Sequence, residues 1–309
     1  MRTTIAACFL ALTNLSCIGQ SRTAVQATPE SDVELGVRLQ KTINTLKALQ
    51  RGHGFPKHLL KENAVKRGDE LDVQQYFTVL KHISMEKGYV LDYVYDYREL
   101  GGKPVLYARK TTQPPYLTMS EFKDAIRKRA HLDEVEVIQA ERRALFEKTG
   151  PDAEQARDEA DGELQRRLNA IPDREYWDYY LEHVLIDGTK EGYLQYILLY
   201  QLGGQFYLFW HACYNDNRII TDKSQLETIL STVRSSPFTS LEVLRAKAQQ
   251  IDYSPRVDIV GQKAMVSFVT FSKWGGFIRQ CYTISTQSPH KVLGRTWEVL
   301  AEYDCATVY

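Results

Sequence analysis

Length, composition and charge exclude several classes of protein. The chain has 309 residues, 43% of them hydrophobic, which is enough to bury one large core or two modest ones. Its 39 basic and 39 acidic residues leave a formal net charge of zero. Long-range attraction to nucleic acid or acidic lipid needs a concentrated basic surface, so the composition indicates no nucleic-acid partner. No apolar run approaches the roughly 20 residues of a transmembrane helix, and we expect a soluble mature chain.

Residues 1–27 have the pattern of a signal peptide. Arg2 supplies a short positive region, and Ile5 to Leu12 form a short apolar region. The small residues of Val25-Gln26-Ala27 offer a conventional cleavage site. We therefore expect an exported protein, located in the periplasm, on the cell envelope or outside the cell.

Cleavage before Cys17 is a second way in which this leader could be processed. Leu15-Ser16-Cys17 resembles the cleavage box of bacterial lipoproteins, in which the cysteine becomes the lipidated first residue. Asn14 departs from that pattern, which has an aliphatic residue there. Lipidation of Cys17 and simple secretion remain alternatives, and this lipid would be the only membrane anchor that we predict.

The region 28–112 is predicted to contain two helices and a β-hairpin. Leucines at helical spacing indicate a helix from Val33 to Leu49, and a second apolar series predicts a helix from Val73 to near Gly88. Strict alternation predicts a strand over Tyr89–Tyr97, turning at Gly101-Gly102 into Val105–Arg109. A symmetric turn would place Arg109 diagonal to Asp96, within reach of an ion pair. His53 and His58 fall in the intervening loop and are interpreted as exposed residues, so we predict no metal site.

The region 113–172 is predicted to be a charged helical hairpin. A capping box at Thr118–Glu121 starts one long helix that continues to about Lys148, and a second helix covers Asp152 to about Ala170. Both helices carry charges of both signs and few large apolar residues. This favours a solvated hairpin packed along one thin stripe over a partner-binding arm.

The region 173–309 is predicted to be an α+β core. Glu191–Leu202 is apolar on nearly every side, as an enclosed helix must be, and Gly203-Gly204 is predicted to end it in the left-handed conformation. The aromatic residues that follow predict a strand over 205–214. Alternation would turn one set inward (Phe206, Leu208, Trp210, Ala212 and Tyr214) and the other outward (Tyr207, Phe209, His211 and Cys213).

The C-terminal part is predicted to be an antiparallel meander. Its strands cover Arg256–Val260, Ala264–Lys273, Phe277–Ser285 and Thr296–Cys305. A two-residue turn at Gly275-Gly276 would set Val269 opposite Tyr282 and Thr270 opposite Cys281, and Trp274 would pair with Phe277. In the last strand, Trp297, Val299, Ala301, Tyr303 and Cys305 would face inward. This strand order holds Cys281 and Cys305 about 20 Å apart, beyond the roughly 7 Å limit of a disulfide, so we predict that they are not bonded.

These elements together predict an α+β fold. Its helices are segregated in the first two-thirds and an antiparallel β-sheet forms the C-terminus. The early hairpin could join that sheet.

One constellation could support catalysis. On one strand, His211 and Cys213 would point the same way about 6.6 Å apart, close to Asp216, as a thiolate–imidazole pair requires. The opposing interpretation is that Cys213 is a small buried apolar residue. No cofactor motif is present.

The sequence therefore favours an exported or envelope-anchored binding or structural module over an enzyme. Its unknown ligand or protein partner would meet the aromatic surfaces, and the candidate binding residues are Tyr95, Trp177, Tyr207 and Trp274. The alternative is a hydrolase or transferase that uses Cys213 and His211.

Overall fold

The computed structural model describes residues 32–98, 101–148, 154–171, 176–214, 217–235 and 239–305. The predicted signal peptide, with Cys17, lies outside these ranges. The chain from Ser31 to Tyr309 forms one compact unit. Among the described residues, no helix combines the length and apolarity that a bilayer span requires.

The secondary structure confirms the α+β class, with helices mostly in the first two-thirds and a β-meander at the C-terminus. The helices are α1 (Asp32–Gly52), α2 (Tyr76–Val79), α3 (Met119–Ile126), α4 (Leu132–Lys148), α5 (Glu154–Ala170), α6 (Lys190–Leu202), α7 (Leu226–Leu230) and α8 (Leu241–Ala248). Short 3-10 helices lie at Lys57–Leu59, Val73–Gln75, Tyr176–His183, His211–Tyr214 and Lys223–Gln225.

The strands form three sheets in the described part of the chain. They are β1 (Ile83–Met85), β2 (Tyr89–Arg98), β3 (Gly101–Lys110), β4 (Val184–Ile186), β5 (Phe209–Trp210), β6 (Arg218–Ile220), β7 (Arg256–Val260), β8 (Lys263–Ser272), β9 (Gly276–Ser285) and β10 (Val292–Ala301). The C-terminal sheet has the order β10-β9-β8-β6, with β7 also paired to β8. The hairpin β2–β3 pairs with β5 instead, and β1 pairs with β4. The early hairpin thus does not join the C-terminal sheet.

Helix α6 is the enclosed element that its composition predicts. Thr189 caps its start by accepting a hydrogen bond from the amide of Gly192 at 3.0 Å. Every residue from Gly192 to Leu199 is buried. The predicted left-handed end is wrong, because Gly203 has a right-handed φ of −57°. Glycine is needed there for space, since a Cβ would overlap the backbone carbonyl of Leu199 and would lie 2.7 Å from the Leu106 side chain.

The two glycines at the tip of the first hairpin also allow neighbouring groups to pack closely against the backbone. Tyr97 pairs with Gly102, so the predicted turn at Gly101-Gly102 is wrong and both glycines lie in β3. There they pair with β5, and a Cβ on Gly102 would lie 2.5 Å from the Tyr95 hydroxyl. The shifted register also redirects Arg109, whose Nε lies 3.2 Å from Oδ2 of Asp92. Its predicted ion pair with Asp96 is therefore wrong.

The turn between β8 and β9 also differs from the prediction. Ser272 pairs with Gly276, so the turn between them has three residues. In this register Val269 faces Arg279 and Thr270 faces Ile278. The Phe271 and Phe277 rings pack with centroids 4.9 Å apart, and Trp274 lies in the turn. The predicted two-residue turn is therefore wrong. Gly276 ends the turn with a φ of 77°, which favours glycine, and a Cβ there would overlap the carbonyl oxygen of Ala301.

The edge strand β10 leaves apolar residues outside the core. Trp297 is 67% exposed and Val299 53% exposed, so their predicted inward position is wrong. Ala301 and Tyr303 are buried as predicted. Cys281 faces Thr296, and both Cys281 and Cys305 are free thiols, which confirms that they are not bonded to each other.

Two predicted helices are shorter than expected. The long charged helix is divided into α3 and α4 by a turn in which His131 has a φ of 49°. The helix predicted from Val73 ends at Val79, and the chain continues into β1. The hairpin of α4 and α5 packs along one apolar stripe, formed by Ile138, Leu164, Leu168 and Ile171.

Candidate functional site

The segment that follows α6 does not form the predicted strand. Tyr207 and Trp210 have φ values of 48° and 45°, a left-handed conformation that interrupts the alternation of a strand. As a result Phe206 and Tyr207 are both buried, whereas Trp210 is 51% exposed. Two hydrogen bonds hold Tyr207 in this conformation: its carbonyl accepts from the Tyr95 hydroxyl at 2.8 Å, and its hydroxyl accepts from the Leu71 amide at 3.0 Å.

The candidate catalytic residues are not on one strand. His211 is partly exposed and stacks on Trp210, with ring centroids 4.9 Å apart. Residues 211–214 form a 3-10 helix. The expectation that His211 and Cys213 lie on one strand is therefore wrong. The Cys213 side chain and Asp216 lie outside the described residues, so their catalytic role stays a prediction.

The four candidate binding residues lie in different environments. Tyr95 and Tyr207 are 1% and 6% exposed and contact each other through the hydrogen bond just described. Trp274 is 39% exposed in the turn between β8 and β9. Trp177 is 48% exposed on the 3-10 helix Tyr176–His183. Of the four, Trp177 combines an exposed ring with a position on the wall of a cavity.

This cavity, the aromatic cleft, has a volume of about 200 Å³ and lies between β3, the 3-10 helix Tyr176–His183 and the end of α6. Its walls include Tyr176, Trp177, Tyr180, Tyr200, Gln201, Gln205, Asp96, Arg98 and Lys103. The Tyr176 and Trp177 rings meet edge to face at 5.5 Å. Burial raises the pKa of Tyr180 far above its ordinary value, so its hydroxyl stays protonated and donates to the Leu199 carbonyl at 3.2 Å.

One ion pair supplies the charged side of the aromatic cleft. Arg98 donates from Nε at 3.1 Å and from Nη2 at 2.9 Å, both to Oδ2 of Asp96. The hydrogen bonds to Asp96 raise the pKa of Arg98. Because both bonds end on Oδ2, Oδ1 of the buried Asp96 can still accept a hydrogen bond from a ligand.

A second cavity, the basic pocket, lies on the other side of Gln205 and Leu208, which line both cavities. Its volume is about 390 Å³, and its walls are Lys47, Gln50, Arg51, His53, Phe55, Leu202, Gln205, Phe206, Tyr207, Leu208, Asn217 and Arg218. The pKa of Lys47 is lowered by burial and by the nearby charges of Arg51 and Arg218. Gln50 joins α1 to the end of α6 by donating to the Leu202 carbonyl at 2.7 Å.

His58, Asp69 and Glu70 are close enough together to suggest a metal site. His58 is partly buried, contrary to the expected exposed position, and its Nε2 lies 2.7 Å from Oε1 of Glu70. Two ligands of one tetrahedral zinc ion, each about 2.0–2.1 Å from it, would be about 3.3 Å apart. The Glu70 carboxylate also accepts from the amides of Arg67 and Gly68, both at 2.8 Å. This geometry is that of a hydrogen-bonded loop anchor.

The comparisons with known proteins give no assignment for this site. No protein-family model matches the sequence, and neither a curated protein nor a solved structure shows significant similarity to it. The chemistry of the two cavities is therefore argued from their own side chains.

Proposed function

We propose that the protein is an exported or envelope-anchored binding module that holds a small polar ring compound, such as a sugar, in the aromatic cleft. The observation that carries this proposal is the half-exposed Trp177 ring on the wall of a cavity. Aromatic rings bury the apolar face of a ligand ring, and a few placed polar groups fix its orientation. The leader pattern supports the exported location.

The polar groups of the cleft suit a ligand with hydroxyl groups. Gln201 and Gln205 offer both donors and acceptors, and Asp96 offers an acceptor oxygen that Arg98 leaves open. Drug-sized ligands occupy cavities of about 300–1,000 Å³. The aromatic cleft, at about 200 Å³, is smaller and suits a single ring.

Binding can be measured by titrating the folded protein with a panel of neutral mono- and disaccharides and following tryptophan fluorescence and heat. Trp177→Ala should weaken binding by roughly five- to thirtyfold, since stacking on one aromatic ring contributes on the order of 1–2 kcal/mol. Trp274→Ala is the matched control, because Trp274 is a similarly exposed indole in the turn between β8 and β9. Equal losses in the two variants, or no binding by the unaltered protein, would overturn the proposal.

A further inference from the structure

The basic pocket gathers positive charge from two distant parts of the chain. Lys47 and Arg51 are four residues apart on α1, a spacing that places both on one face of a helix. Arg218 reaches the same cavity from β6. His53 adds a ring nitrogen at the end of α1. The described residues that line this cavity include no acidic side chain.

These three cations also lack carboxylate partners within the described ranges. Arg218 donates one long hydrogen bond, at 3.5 Å, to the Thr232 hydroxyl, and no ion pair joins Lys47 or Arg51 to a described carboxylate. Arginines elsewhere in the chain are paired in several cases, as in Arg109–Asp92, Arg129–Glu182, Arg245–Glu227 and Arg256–Asp252. The charges of the basic pocket are therefore available to an anion.

The position of the cations makes their mutual repulsion costly. Lys47 is partly buried, and a partly buried charge interacts more strongly with its neighbours than one in bulk water. Burial is the main cause of the lowered pKa of Lys47, and the positive charges of Arg51 and Arg218 lower it further. A bound anion would remove this repulsion, and an anion with two charges would do so most completely.

The floor of the same pocket is aromatic. The Phe55 and Phe206 rings meet Tyr207 edge to face, with centroids 5.6 Å and 5.0 Å away. A volume of about 390 Å³ falls within the usual range of about 300–1,000 Å³ for small-molecule sites. The cavity can thus hold an apolar group against the rings and a charged group against the cations.

We propose that the basic pocket is a second binding site, which takes a small organic phosphate. Arg51 and Arg218 would hold the phosphate oxygens with their planar donor groups, and Lys47 would add a compact charge. The organic part of the ligand would lie against Phe55, Phe206 and Tyr207. This site uses different charged groups from the aromatic cleft, so it does not depend on the function proposed for that cleft.

Calorimetric titration with phenyl phosphate, inorganic phosphate and phenol, at constant ionic strength, tests the ligand class. Phenyl phosphate should bind the unaltered protein at least about tenfold more tightly than inorganic phosphate, because burying a ring adds apolar contact. Phenol should not bind measurably. Equal affinity for the two phosphates, or no binding of either, would overturn the assignment to an organic phosphate.

Single substitutions test the site itself. Lys47→Gln, Arg51→Gln and Arg218→Gln should each weaken the binding of phenyl phosphate by about tenfold or more, the loss expected for one charge-assisted hydrogen bond. Lys41→Gln is the matched control, because Lys41 is an exposed cation on the same helix. An equal loss in Lys41→Gln would show that the overall charge attracts the anion and would overturn the site.

Two further measurements distinguish this binding site from a structural lysine and from a membrane-binding surface. Relief of like-charge repulsion predicts that Lys47→Gln keeps or raises the Tm, so a fall of several degrees would identify a structural lysine and contradict the proposal. Vesicles of phosphatidylcholine and phosphatidylglycerol in equal parts present the same phosphate chemistry on a membrane. Binding to these vesicles without binding of phenyl phosphate would assign the cations to a lipid surface and would also overturn the proposal.

Discussion

Replacing Glu70 by Gln removes a buried negative charge that three N–H donors share. The Glu70 side chain is 2% exposed and accepts from the Arg67 amide, the Gly68 amide and His58, at 2.7–2.8 Å. The amide of Gln has one acceptor oxygen, so it can satisfy one of the two backbone amides, and its NH₂ group then faces the other. Each buried donor left without an acceptor costs about 1–3 kcal/mol. One buried donor is left unsatisfied, so we expect Glu70→Gln to lower the free energy of unfolding by about 1–3 kcal/mol.

The stabilisation by Glu70 should depend on pH. Burial raises the pKa of Glu70, but hydrogen bonds from Arg67, His58 and Gly68 outweigh burial and hold the pKa below its ordinary value of 4.5. The unfolded chain therefore takes up this proton more readily than the folded chain. The contribution of Glu70 is fully present above pH 4.5 and is lost as the pH falls through the lower pKa of the folded state.

Urea denaturation of the unaltered protein and of Glu70→Gln, at pH 7 and at several lower pH values, measures this difference. Glu62→Gln is the control, because Glu62 is exposed on the same loop and should change stability by less than about 0.5 kcal/mol. The reasoning would be refuted if the two variants were equally stable at pH 7. It would also be refuted if the deficit of Glu70→Gln stayed constant as the pH fell.

Two further predictions concern the leader and the reactive groups. N-terminal sequencing of the native protein should find a chain that begins near residue 28 or at a modified Cys17, and an intact Met1 would contradict export. If Cys17 is lipidated, Cys17→Ala should release the protein from the membrane fraction, whereas an unchanged distribution would favour plain secretion. Cys213 should stay unreactive towards iodoacetamide below neutral pH until the protein unfolds. Rapid alkylation that His211→Ala slows would instead favour the hydrolase or transferase alternative.

The local elements of this fold follow from the sequence because their signals are local. Apolar residues on every side of Glu191–Leu202 predict the enclosed helix α6. Thr189 and Thr118 each cap a helix by accepting a hydrogen bond from a backbone amide three residues further along the chain. Alternation predicts β2 and the strands of the C-terminal meander. The hydrogen bonds of a helix and the alternation of side chains along a strand both involve residues that are close in sequence. The α+β class could therefore be predicted.

The registers could not be predicted, because they depend on distant neighbours. Gly102 resembles a turn glycine in the sequence, yet it lies in a strand, where a Cβ would overlap the Tyr95 side chain. Likewise, Trp210 and Trp297 fit the core face of an alternating strand. The structure leaves both exposed because a left-handed residue interrupts the first strand and the second lies at the edge of its sheet.

In the candidate sites, too, some features follow from the sequence and others only from the tertiary structure. The four-residue spacing of Lys47 and Arg51 on one helix face can be read from the sequence. Their convergence with Arg218 cannot, because the fold brings β6 to α1 across more than half of the chain. The exposure of Trp177 above a cavity likewise depends on how the 3-10 helix Tyr176–His183 packs against β3. Residue type determines what each side chain can bind, whereas tertiary packing decides which side chains meet and which remain open to a ligand.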